Sequence, residues 1–241
     1  MLVFARIFAP ESLEIYETSS KYHLLKKYRF MFVFSIDILW YMQIHYLALG
    51  DSYTIGEGVD KSERWPNQLA VALRACGYFL DVSTIARTGW TTSELAEAIR
   101  STNPQGSYDL VSLLIGVNNQ YRDLDLEEYR AEFVSLLKQA IQFAGGNPKR
   151  VIVLSIPDWG VTPFAADRDS ARVSVEIDAF NSVNRDESAR AGVHHVDVTP
   201  ASRRAAGDLS LLAADGLHPS GAMYAHWAEL VLPVACAALE R

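Results

Sequence analysis

The chain has 241 residues, 49% of them hydrophobic and 21% charged, a balance that supports one well-buried domain of catalytic size. A formal charge of -7, from 22 basic against 29 acidic side chains, argues against a general nucleic-acid binder, because neutralising phosphates needs clustered Lys and Arg. Two cysteines, Cys76 and Cys236, are too few for a disulfide framework, and their apolar, helical-looking surroundings read as sites for buried thiols.

The segment from Met1 to Tyr41 differs from the rest, being rich in Tyr, Phe, Lys and Ile and free of glycine. Lys21, Lys26, Lys27 and Arg29 precede an apolar run from Phe30 to Met42, the order found in signal peptides and membrane anchors. Against that, Asp37 interrupts the run, which is shorter than the ~20 residues of a spanning helix and lacks a small-residue cleavage site. Residues 1–42 are therefore expected to be an N-terminal extension outside a catalytic domain at 43–241. An anchor and an amphipathic helix packed on the body are the alternatives. The expected location is the cytoplasm; membrane contact or export would follow only from this segment.

From Ile44 onward, short runs rich in Val, Ile and Leu alternate with helical patterns, the signature of β-α units around a parallel sheet. In chain order the expected elements are a strand at Ile44 to Leu49, a helix at Trp65 to Ala75, and a strand at Phe79 to Ile85. A helix around Ser93 to Arg100, a strand at Leu110 to Ile115, and a helix at Leu126 to Phe143 follow. The remainder comprises a strand at Val151 to Ile156, a helix at Arg172 to Ala191, a strand at Val193 to Val198 and a helix at Ala222 to Leu239. Near-continuous hydrophobicity suits strands covered on both faces. The last helix is expected to bend or break at Pro233, which removes a backbone donor and clashes with the preceding turn.

Ligands of open parallel sheets bind outside the carboxyl ends of the strands, and there the sequence carries its chemistry. Gly50-Asp51-Ser52 follows the first strand, Thr88-Gly89 the second, and Gly116-Val117-Asn118-Asn119 the third, with Asp215-Gly216-Leu217-His218 near the C-terminus. These four blocks, in this order, resemble those of the GDSL/SGNH hydrolase family, named for a Ser, a Gly, an Asn and a His. The resemblance covers roughly Tyr46 to the C-terminus. It implies an SGNH hydrolase fold, a three-layer α/β/α sandwich on a flavodoxin-like five-stranded parallel sheet of order 2-1-3-4-5. It also implies an esterase or lipase activity.

Residue chemistry points the same way. A serine hydroxyl is a poor nucleophile until a base takes its proton; Ser52, alone, reads more readily as a helix cap, and the company of the other blocks reverses that in favour of a nucleophile. His218 is the expected base, and Asp215, three residues earlier, can fold back to fix its tautomer. By resemblance the oxyanion hole is the backbone N–H of Ser52 and of Gly89 with the side-chain amide of Asn118, neutral donors suited to a developing negative charge. Asn119 stands where many relatives carry Asp. Asp51 is read as structural. Tyr53, Trp159 and Phe164 are candidate substrate-binding residues, and Tyr121 could join them. His45, His194, His195 and His226 show no ligand spacing, so no metal and no cofactor are expected.

The expected activity is hydrolysis of short-chain acyl esters, with carbohydrate acetyl esters as a candidate class, on a small-molecule substrate without nucleic-acid partners; the sequence leaves oligomeric state open. An acyltransferase using the same three residues is the principal alternative. A flavodoxin-like nucleotide or flavin module is a weaker one, since Gly50 to Lys61 matches neither G-x-G-x-x-G nor a P-loop.

Overall fold

The computed structural model describes residues 42–240, and the expectations for the preceding N-terminal segment lie outside them. Five strands form one sheet in the order β2-β1-β3-β4-β5. They are β1 (Met42–Gly50), β2 (Tyr78–Ala86), β3 (Leu110–Leu114), β4 (Val151–Leu154) and β5 (His194–Val196). All neighbours pair in parallel, as the alternating pattern requires. The long helices are α2 (Trp65–Arg74), α3 (Thr92–Thr102), α5 (Leu126–Phe143), α6 (Ser170–Ala191) and α8 (Gly221–Leu239). Short helices α1 (Ser52–Ile55), α4 (Val117–Tyr121) and α7 (Thr199–Ser202) sit just after strands. Contacts of α2 with α8, and of α5 with α3 and α6, make two helical layers around the sheet.

Local rules account for the helix boundaries. Asp125 caps α5 by accepting from the backbone N–H of Glu127 and Glu128 at 2.9 Å, and Thr91 with Glu94 forms a reciprocal capping box on α3. The central strands β3 and β4 are buried at every position, so their unbroken hydrophobic runs follow from having a helical layer on both faces.

Three expectations need correction. First, β2 is not covered on both faces: as an edge strand it exposes Asp81, Ser83 and Thr84, and Phe79 lies beneath the Arg74 guanidinium, 4.9 Å away. Second, α8 runs unbroken through Pro233. Pro233 and Glu229, whose carbonyl loses its helical partner, both sit on the exposed side, where water can take the missing donor's place. Third, the thiols are not buried. Cys76 is exposed just beyond α2, Cys236 is half-buried in α8, and their sulfurs lie 3.4 Å apart.

Gly116, between β3 and α4, has φ 129°, and a Cβ there would stand 2.6 Å from the Tyr129 hydroxyl and 2.8 Å from Ile156 Cδ1. Both the dihedral and the space exclude a side chain. Gly116→Ala should therefore cost about 2–4 kcal/mol of unfolding free energy in urea titration; an unchanged midpoint would show that the strand end can relax.

Candidate active site

Strands β1, β2 and β3 end in one register row, with Gly50 opposite both Ala86 and Leu114. Beyond that row the chain turns sharply into α1. Asp51 is the helix cap, its Oδ1 accepting from the Tyr53 N–H at 3.0 Å. That places Ser52 at the first helical position instead of the cap. Ser52 and His218 line the same solvent-open cleft of about 530 Å³, together with Thr88, Gly89, Asn118 and the walls Tyr53, Val117, Tyr121, Trp159, Phe164 and Leu217.

His218 is delivered by a turn that one carboxylate organises. Asp215 Oδ1 accepts from the backbone N–H of Leu217 and of His218, each at 2.9 Å, while Oδ2 lies 2.6 Å from His218 Nδ1. Burial pushes the Asp215 carboxyl upward, but the His218 ring and the two N–H donors outweigh it and hold the group below its ordinary range. An ionised Asp215 favours the tautomer with the proton on Nδ1, leaving Nε2 able to accept. The Tyr53 ring packs 5.5 Å from the imidazole, centre to centre, with the planes tilted by 57°.

The loop after β2 is fastened to α4. Asn118 Nδ2 donates to the Trp90 carbonyl at 2.9 Å, which uses one of its two N–H bonds. Asn119 is buried; its Oδ1 accepts from the Thr92 N–H at 3.1 Å and its Nδ2 donates to Thr92 Oγ1 at 2.6 Å. The Thr92 hydroxyl spends its own proton on Glu132, so position 119 must supply a donor here. An amide does so, and an ionised aspartate would not.

The aromatic wall is a mutual cluster. Tyr121, Trp159 and Phe164 stand 5.4 to 6.1 Å apart by ring centre, and the Trp159 indole N–H is held by Gln120 Oε1 at 2.7 Å. Beyond Tyr121 and Trp159 a polar recess of about 560 Å³ carries Asp167, Arg168 and Glu176. Tyr53, Trp159 and Leu217 also line a second, smaller pocket of about 240 Å³ together with Pro219 and Met223.

The structure thus brings Ser52, Gly89, Asn118, His218, Tyr53, Trp159 and Phe164 to one cleft, with Asp215 behind the imidazole. Thr88, Val117 and Leu217 also line the cleft; the sequence places them inside the four blocks but assigns them no role of their own. Each adjoins a motif residue, and adjacency was the one signal available. The remaining histidines lie apart: His45 is exposed on β1, His194 and His195 belong to β5, and His226 faces Glu229 at 3.4 Å. Among the described residues no group of three His, Cys, Asp or Glu side chains is placed to hold a metal.

Solved structures share this fold of a parallel five-stranded sheet between helical layers. TesA superposes with a TM-score of 0.65 at 22% identity, covering 81% of this chain and 99% of its own. The acetylxylan esterase Axe2 from Geobacillus stearothermophilus gives 0.61 at 19% identity, covering 81% and 96%. A lipase/acylhydrolase from Enterococcus faecalis gives 0.61 at 21%, covering 79% and 94%. No curated protein matches the sequence significantly. The chain belongs to the GDSL-like lipase/acylhydrolase family, whose profile matches residues 48–226. It is a hydrolase of ester bonds.

Asp51 is fully buried, and burial raises its carboxyl from 3.8 to about 7, only partly offset by the Tyr53 and Asp51 backbone N–H groups. The folded state therefore holds this proton more tightly than the unfolded chain does. Its stabilising contribution is complete below about pH 4 and is lost as pH rises to about 7. Asp51→Asn has no such proton to lose, so its melting temperature relative to wild type should climb between pH 4 and pH 7.5. Parallel melting curves across that range would contradict the raised carboxyl.

Proposed function

We propose that this protein is a serine esterase in which Ser52, His218 and Asp215 form a catalytic triad acting on short-chain acyl esters. One observation carries the reading: Ser52 and His218 line a single cleft while Asp215 Oδ2 sits 2.6 Å from His218 Nδ1.

In the proposed reaction Ser52 Oγ attacks the ester carbonyl carbon as its proton passes to His218 Nε2. The carbonyl oxygen becomes an oxyanion, met by the N–H of Ser52, the N–H of Gly89 and the free N–H of Asn118. Each such donor is worth about 10²- to 10³-fold in rate. The intermediate collapses, the C–O bond to the alcohol breaks, and the proton on Nε2 goes to the departing oxygen. Water then attacks the acyl-enzyme, giving its proton to His218; the acid leaves and Ser52 recovers its hydroxyl. Asp215 remains ionised throughout and balances the imidazolium.

Two features support small acyl groups and a hydroxyl-rich alcohol. The pocket that Tyr53 shares with Pro219 and Met223 is less than half the size of the cleft, which favours a short acyl chain. The aromatic wall of Tyr121, Trp159 and Phe164 can stack on a sugar ring, and the polar recess beyond it carries carboxylate and guanidinium groups for hydroxyls. Carbohydrate acetyl esters are accordingly the physiological class we assign, the class named for the structural neighbour Axe2. The domain is taken as residues 43–241.

Ser52→Ala should lower p-nitrophenyl acetate hydrolysis by at least ~10³-fold with an unchanged melting temperature; retained turnover would overturn the assignment. In a panel of p-nitrophenyl esters, acetyl and butyryl esters should be cleaved at least ten-fold faster than decanoyl. Preference for the long chain would sink the short-acyl reading.

A further inference from the structure

The Gly89 N–H is a useful donor only if it points the right way, and the local sequence does not secure this. Trp90 N–H donates to the Arg87 carbonyl at 3.3 Å, closing a four-residue turn with Thr88 and Gly89 at its centre. Gly89 has φ 86°, the value of the third residue of a type II turn. Types I and II differ by a flip of the central peptide, whose N–H belongs here to Gly89. Glycine adopts either form readily. With so permissive a residue at its centre, the turn owes its place beside the cleft to what holds it from outside.

Three contacts do so. The Thr88 hydroxyl is bonded to the Glu57 carboxylate. Asn118 Nδ2 holds the Trp90 carbonyl at 2.9 Å. Arg122 Nη2 donates to the Gly89 carbonyl at 2.5 Å. Thr88 and Asn118 line the cleft themselves. Arg122 stands outside it, at the end of α4, and its other terminal nitrogen lies 3.4 Å from Glu94, which in turn receives the Thr91 N–H at 2.8 Å. The guanidinium thus ties the end of α4 to the turn and to the start of α3.

We propose that Arg122 is a positioning residue. By gripping the Gly89 carbonyl it anchors the Gly89–Trp90 peptide against α4 and α3, and so fixes where Gly89 stands and how near its N–H comes to the oxyanion, without touching substrate. This rests on the reading above, in which Ser52 attacks and Gly89 meets the developing charge. Donors of this kind act mainly on the transition state, where the oxygen carries its full charge. Loosening the turn should slow the chemistry while leaving substrate binding nearly intact.

The test compares wild type, Arg122→Met, Arg122→Lys and Ser52→Ala with p-nitrophenyl acetate, together with inhibition by methylboronic acid, which forms a tetrahedral adduct on a reactive serine. For Arg122→Met we expect kcat to fall about ten-fold, less than for loss of a donor itself, with KM within two-fold and an unchanged melting temperature. Boronate inhibition should weaken by a similar factor. Arg122→Lys, which keeps one cationic donor, should recover most of the loss. An Arg122→Met enzyme with wild-type kcat, or one losing only KM, would overturn the proposal. So would a kcat loss that lysine does not rescue and that comes with a lowered melting temperature. If Ser52→Ala is inactive while Arg122→Met is as fast as wild type, only the role of Arg122 falls; if Ser52→Ala stays active, the catalytic reading falls with it.

Discussion

The whole arrangement hangs on how closely two strand ends approach each other. Gly50 of β1 faces Leu114 of β3 in register, and a Cβ on Gly50 would run into the Leu114 carbonyl and the Thr54 hydroxyl. With that contact bare of side chains, β1 can turn at once into α1. Ser52, Gly89 and Asn118 then leave the sheet two, three and four residues beyond one row of backbone partners, Gly50, Ala86 and Leu114. Three loops far apart in sequence start from a common line, so their convergence follows from strand register more than from the loops' own preferences.

The fourth contributor comes from outside the sheet and is built by different physics. Asp215 spends one oxygen on two backbone N–H groups of its own turn and the other on the imidazole. The carboxylate that would balance charge in the proposed reaction also shapes the segment that carries the histidine. Asp51 is the contrast. It is as polar and more deeply buried, yet among the described residues Oδ2 has no partner, and burial lifts its carboxyl to about 7. Two aspartates near one serine thus have opposite electrostatic characters, one held ionised by donors and the other inclined toward neutrality by exclusion from water.

Much of this was legible in the sequence because the informative residues sit beside strong local punctuation. Strand runs of Val, Ile and Leu locate the sheet, and Gly50, Gly89 and Gly116 mark where it gives way to loops. What was not legible depends on contacts made across the fold. Nothing near Glu57 announces that it will meet Thr88, and nothing near Arg122 that it will reach the Gly89 carbonyl. The role of Asn119 was equally hidden, since it follows from where the Thr92 proton goes. Pro233 was misread because the local rule ignores which side of the helix faces water. Cys76 was misread because an apolar neighbourhood in sequence ended one turn before the helix met solvent.

The neighbouring sulfurs of Cys76 and Cys236 carry a topological consequence. They are 160 positions apart in sequence and 3.4 Å apart in space. A covalent link between them would make most of the domain a closed ring, with β2 through the greater part of α8 inside it. Ser52, on the segment before Cys76, would lie outside the ring, just past a strand that pairs with β2 and β3 inside it. Such a ring would leave the folded arrangement nearly untouched while shrinking the ensemble open to the denatured chain. The redox history of a preparation would then register in its resistance to unfolding before it registered in anything the cleft does.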